Sequence, residues 1–187
     1  MKIGTRDMIL VSLFAAICVV AAMISKYGGE AVVPFSMLPL IAMLAGILLG
    51  SKLAALSFLI YVMIGLVGIP VFASPPYGGL GYLLKPSAGF LFGFIAGAYV
   101  IGFIVERVGR HTFGVYMGAM VAGLAVIYAI GLPYMYVVLN YYVGAAVSVS
   151  AALKVGFFPF IGFDFIKAFI GAGLALKISQ RLASSKA

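Results

Sequence analysis

Long apolar runs, set apart by short stretches that carry nearly all the charges, make up almost the whole chain. The runs cover residues 8–25, 31–51, 53–69, 86–105, 111–153 and 155–176. Each reaches the minimum of about 17 residues that a membrane-crossing helix requires. The first holds 18 uncharged residues and spans about 27 Å as a helix. A secretory h-region is shorter, about 7–15 residues, so this run is expected to stay as a first span. The second contains Pro34 and Pro39, so its helix is expected to begin near Ser36. Lys52 is then the only charge at a tight turn between two helices. The fifth run is too long for one span, and "GLP" at 131–133 reads as a helix stop followed by a new start.

Hydropathy alone therefore leaves six spans or seven, and the distribution of cations decides between them. With six spans and 133–155 not crossing, one side carries Lys2, Arg6, Lys52, Arg107, Arg110, Lys177, Arg181 and Lys186. The other side carries Lys26, Lys85 and Lys154. With seven spans the C-terminal cations change sides and the bias nearly vanishes. The expected fold is an all-α integral membrane protein, a single domain over residues 1–187. It has six transmembrane helices, both termini on the cytoplasmic side and a non-spanning helical segment near 133–155. Three irregular segments, 26–35, 69–85 and 131–162, then fall together on the outer side, while the inner loops are short. That asymmetry points to a ligand site in the outer half of the bundle.

Composition agrees: 65% of residues are hydrophobic and 9% charged, too few polar groups to cover a soluble domain. The formal charge of +8 is scattered singly between apolar runs. It is not clustered as a nucleic-acid surface would require. The single cysteine, Cys18, excludes an internal disulfide and a cysteine-based metal cluster, and reads as a small packing residue.

Few side chains remain to carry chemistry. The 69–85 segment, "IPVFASPPYGGLGYLLK", is broken by Pro and Gly yet rich in apolar and aromatic residues. It reads either as irregular backbone lining a cavity or as an interfacial loop anchored by Tyr77 and Tyr82. Asp164 and Lys167 stand three apart, on one helix face, early in the last span. Each costs about 2.5–3.5 kcal/mol at the centre of a membrane helix. Such residues usually face the bundle interior and mark a substrate or proton path. The structural alternative is a mutually neutralising pair, or a Lys167 that snorkels outward. Lys85, beside the Gly-rich loop, is placed to meet an anionic group. His111, the only histidine, reads as an interfacial residue, and Glu106 and Arg107 as topology markers. Glu30 and Lys26 lie in an outer loop able to act as a lid. Tyr134, Tyr136, Asn140, Tyr141 and Tyr142 form either a cap over the site or an aromatic belt. Small residues at Ser12–Ala16, Cys18–Ala22 and Ala42–Gly46–Gly50 allow close helix approach, within the bundle or to a membrane partner. No G-x-x-x-x-G-K-[ST] occurs, so ATP chemistry is not expected of this chain.

"GLVGIPVFASPPYGGLGYLLKPSAGFLFGF" (65–94) resembles the signature of the BioY family, the biotin-specific S components of energy-coupling factor (ECF) transporters. "AVIYAIGLPY" (125–134) and "GFFPFIGFDFIKA" (156–168) are similar to that family's later motifs. The resemblance covers essentially the whole chain. It implies a six-helix vitamin-binding subunit of the cytoplasmic membrane, not an enzyme, with the site on the outer side beneath the loops before the second and fourth helices. It implies partners too: a transmembrane coupling protein and two ATPase subunits. By this resemblance Asp164 and Lys167, in D-x-x-K, are the biotin-contacting pair, and Phe72, Ala73, Gly78, Gly79 and Gly81 the loop contacts. The ligand's ureido group, with two N–H donors and one carbonyl, suits an Asp and a Lys on one face. Lys85 is a candidate for its valerate carboxylate. The chain departs from the family pattern at Ser74, Pro75 and Pro76, at Lys85, and at Ser12 in the first-span partner motif. An ion-coupled transporter using Asp164 as proton carrier is the competing expectation. An intramembrane enzyme is disfavoured by one histidine, one cysteine and four acids.

Overall fold

The computed structural model describes residues 4–27 and 36–184. Among them are seven α-helices: α1 (Thr5–Tyr27), α2 (Leu38–Leu49), α3 (Ser51–Leu66), α4 (Ala88–Val108), α5 (Phe113–Val137), α6 (Val149–Gly156) and α7 (Phe158–Ser184). A 3-10 turn at Leu80–Leu84 precedes α4, and a π turn at Val138–Tyr142 extends α5. Lipid offers backbone groups no partner, so apolar segments of this kind satisfy their hydrogen bonds internally as helices. Four helices are long and apolar enough to cross a membrane: α1, α4, α5 with its π turn, and α7. The apolar helices α2 and α3 have 12 and 16 residues, about 18 and 24 Å of rise.

Burial divides the helices by role. Most of α2 is buried, including Ile41, Ala42, Met43, Ala45 and Ile47, so it is the central helix. In contrast, α1 exposes Met8, Ile9, Leu13, Val20 and Ile24, and α7 exposes Phe165, Ile166, Phe169 and Ile170. Such continuous apolar surfaces are foreign to soluble monomers and suit contact with lipid. The opposite stripe of α7 is Asp164, Ala168, Ala172 and Ala175, all buried. Helical spacing thus turns the one acid of this helix inward.

Small residues set the closest approaches. Gly93 and Gly97 of α4 lie against Ile127 and Gly123 of α5, and Gly46 of α2 against Ile101 and Ala98 of α4. The small-residue face of the second run therefore packs within the bundle, as do Cys18 and Ala22, whereas Ser12 and Ala16 face outward. The turn between α2 and α3 is the single residue Gly50 at φ 81°, a left-handed conformation that glycine adopts without cost. Glu106 of α4 closes this turn. Its carboxylate accepts from Ser51 N and Ser51 Oγ, both at 2.7 Å. It therefore caps α3 from another helix.

The expected stop at 131–133 is not there. Helix α5 continues through Pro133 to Val137. An interior proline forfeits one backbone bond and costs about 3 kcal/mol or more, but neighbouring helices compensate in membrane bundles. Here Gly131 packs on the Phe90 ring, Tyr134 packs on Gly89, and the Tyr134 hydroxyl donates to Leu83 O. The non-spanning helix accordingly begins at Val149 rather than near 133. The expected irregular segment 131–162 shrinks to 143–148, pinned by Asn140 Nδ2 donating to Tyr136 O and Val147 O at 3.0 and 3.1 Å. Helix α6 has 8 residues, about 12 Å, and cannot cross a bilayer. The expected start near Ser36 agrees with α2. The rest of the first expected outer loop, with Glu30 and Pro34, and the cations Lys2 and Lys186 lie outside the described residues.

Candidate functional site

The first residues of α2, α4 and α7, the last turns of α5, and α6 converge at one end of the bundle around a cavity of about 470 Å³. That size is typical of a small-molecule site. Its walls are mostly apolar and aromatic: Leu38, Phe90, Leu91, Phe94, Ile127 and Phe160 line it. Two polar clusters interrupt them.

The first is built on α7. Asp164 is 4% exposed. Its Oδ1 accepts from Lys167 Nζ at 2.8 Å and its Oδ2 from the Tyr128 hydroxyl at 2.6 Å. Lys167 Nζ also donates to Ser36 O at 2.8 Å. The charges neutralise one another, as a dry site demands. Capacity remains: a carboxylate offers about four acceptor directions and an ammonium three donors. Among the described residues each carboxylate oxygen thus keeps one acceptor direction, and Lys167 keeps one N–H. Tyr128 makes T-shaped contacts with Phe90 and Phe157, with centroids 6.0 and 5.0 Å away. That packing aims its hydroxyl at Asp164.

The second cluster comes from the segment before α4. The Tyr82 hydroxyl lies 3.2 Å from Ser74 Oγ and 3.4 Å from Ser87 Oγ, and Lys85 stands between Tyr82 and Ser87 in sequence. All four line the cavity. The Lys85 ammonium makes no hydrogen bond or ion pair with the described residues, so among them this wall offers hydroxyls and a free ammonium.

Of the residues singled out from the sequence, Asp164, Lys167, Ala73 and Lys85 meet in this cavity. Phe72, Gly78, Gly79 and Gly81 do not line it. Phe72 is 1% exposed and sits behind the wall, 5.8 Å from the Tyr61 centroid and 4.2 Å from that of Tyr82. Gly79 N donates to Gly65 O at 2.7 Å, and Gly78 lies on the Ile69 and Gly65 carbonyls. A Cβ on Gly81 would meet nothing within 4 Å. These residues fold the segment onto the end of α3. Sequence reading passed over Tyr128, Tyr61, Ser87 and the Ser36 carbonyl. The available signal was a phenol inside an apolar span at Tyr61 and Tyr128; which way each points depends on helix rotation.

The remaining polar residues lie elsewhere. His111 Nδ1 is 2.9 Å from the Tyr116 hydroxyl, which is 2.8 Å from Ser179 Oγ. This chain joins the start of α5 to the far end of α7, at the opposite end of the bundle from the cavity.

Comparison with known proteins adds an independent line. The model of the BioY family matches residues 1–184. The chain is 40% identical to the biotin transporter BioY of Thermotoga maritima over 175 residues, 94% of this chain and 96% of that one. It is 38% identical to the probable biotin transporter BioY of Lysinibacillus sphaericus, covering 98% and 92%. With the biotin transporter BioY of Rhizobium etli the identity is 35%, covering 98% and 100%. Its fold is similar to a crystal structure of the S-component for biotin from an ECF-type ABC transporter: TM-score 0.77, 19% identity, 94% of this chain and 91% of that one.

Proposed function

The chain belongs to the BioY family, and on that premise we propose that it captures biotin in the cavity between α2, α4, α5 and α7. It does so as the substrate-binding S component of an ECF importer. The observation that carries this reading is Asp164, a buried carboxylate with two directed donors and two acceptor directions left facing an apolar cavity. A ureido N–H of biotin donates into one of those directions. The remaining N–H of Lys167 reaches the ureido carbonyl. Phe90, Phe94 and Phe160 cover the fused rings. The valerate carboxylate lies toward Lys85 and the hydroxyls of Ser74, Tyr82 and Ser87. Phe72, Gly78, Gly79 and Gly81 act one layer back, by holding Ala73 and Ser74 in the wall.

In this reading α2 and α3 also cross, giving one domain of six spans with both termini inside. Support comes from the charges: Lys52, Arg107, Arg110 and Lys177 fall at the end away from the cavity, whereas Lys26, Lys85 and Lys154 fall at the cavity end. The positive-inside rule then puts the cavity mouth outside. The protein resides in the cytoplasmic membrane, and transport energy comes from a coupling protein and two ATPase subunits. Asp164 is poorly suited to carry protons: protonating it would leave Lys167 as an uncompensated buried charge.

Equilibrium binding of biotin, desthiobiotin and unrelated vitamins to the purified chain tests this reading. Biotin and desthiobiotin, which share the ureido group, are expected to bind and the others not. Absence of biotin binding by a folded protein would refute it.

A further inference from the structure

The segment that carries Ala73 and Ser74 into the cavity wall is a small closed loop. Phe72 N donates to Tyr77 O and Tyr77 N to Ser74 O, both at 2.8 Å. Tyr77 therefore closes the loop through its own backbone. It does so at φ 64°, a left-handed conformation that bulky residues rarely adopt. Asparagine or glycine would take it with less strain, so the turn alone does not call for a tyrosine. Core packing does not hold the ring either, since Tyr77 is only half-buried. What meets it is Lys26, in the last turn of α1. Its Nζ lies 4.1 Å from the Tyr77 ring centroid and 5.1 Å from that of Tyr27. Neither Lys26 nor Tyr77 lines the cavity.

We propose that Lys26 and Tyr77 are a positioning pair, a cation–π contact that fastens the 72–77 loop to the end of α1 and thereby sets how long biotin is retained. The inference rests on the biotin reading of the cavity. The pair acts through Ala73 and Ser74, which face the ligand, and joins the first helix to a wall otherwise built by the segment between α3 and α4.

Two measurements on the full chain in lipid nanodiscs decide this. The first is ligand-free: amide exchange in peptides covering 71–79. Lys26→Met keeps the aliphatic stem and removes the charge. Tyr77→Asn keeps the left-handed turn and removes the ring. Each is expected to speed exchange about two- to five-fold, the size of a cation–π contact at a partly exposed site. Lys26→Arg and Tyr77→Phe should behave as wild type, and the double variant Lys26→Met/Tyr77→Asn no worse than either single one. The second is dissociation of radiolabelled biotin, expected to quicken by the same factor with unchanged association rate and melting temperature. Unchanged exchange in Lys26→Met overturns the pair. Faster exchange with unchanged dissociation overturns its role in retention. Failure of the wild type to bind biotin overturns the cavity reading and the retention claim with it, while the exchange measurement still decides whether the pair holds the loop.

Discussion

Replacing Asp164 with asparagine removes the charge and one acceptor while keeping the shape. The carboxylate accepts from Lys167 Nζ at 2.8 Å and from the Tyr128 hydroxyl at 2.6 Å. Lys167 has no acceptor to offer, so the asparagine must turn its carbonyl toward the ammonium. Its amide then faces the Tyr128 hydroxyl, which can reverse and accept. The amide also faces the ureido N–H that Oδ2 would have received, donor against donor. That ligand N–H is left without a partner, at about 1–3 kcal/mol, and its charge-assisted bond is lost. Together these give a loss of about 2–4 kcal/mol, or about 30- to 1000-fold in Kd. A second effect must be separated. Lys167 becomes an unpaired ammonium with its side chain 13% exposed, and breaking a buried pair costs about 3–5 kcal/mol of stability. The double variant Asp164→Asn/Lys167→Met removes the stranded charge. It is expected to recover thermal stability but not affinity. Titration with radiolabelled biotin, alongside melting temperature, reads both. Near-equal affinity of a folded Asp164→Asn protein would remove the carboxylate from the binding site and refute the reasoning.

Other outcomes follow from the same contacts. Tyr128→Phe removes one donor from Asp164 and leaves its charge in place, so affinity should fall about 2- to 13-fold, for about 0.5–1.5 kcal/mol; a larger effect than that of Asp164→Asn would mean the hydroxyl touches the ligand itself. Lys85→Met should weaken biotin about tenfold, the worth of one charge-assisted bond of about 1.5 kcal/mol. It should leave biotin amide unaffected; equal loss for both ligands would dissociate Lys85 from the carboxylate. Glu106→Gln should lower the melting temperature by weakening the cap on Ser51, by about 1 kcal/mol because the carboxylate is exposed, without altering biotin affinity. A reporter fused after Ala187 should be active only on the cytoplasmic side; activity outside would overturn the six-span orientation.

Much was legible along the chain because lipid enforces a simple rule. A segment without charges and without external partners must become a helix, so the apolar runs locate α1, α4, α5 and α7 directly. The same rule exposes Asp164 and Lys167, whose spacing places them on one face. The failures share a cause as well. "GLP" carries a strong local stop signal, yet α5 stays helical through it, packed on Phe90, Gly89 and the Leu83 carbonyl, all distant in sequence. Glu106 looked like a flanking charge because nothing local shows that it reaches across to Ser51.

Composition and helical period alone set the apolar surroundings this chain demands, its helical bundle and the acid–base pair on one face of α7. Tertiary structure decided which loop residues reach the cavity. Ala73, Ser74 and Lys85 line it, whereas Phe72 and Gly79 fold back on Gly65. It also supplied the donors that set the acid, the Tyr128 hydroxyl and the Lys167 ammonium braced on the Ser36 carbonyl. Period alone cannot report such choices, because they depend on how the helices are rotated and stacked against one another.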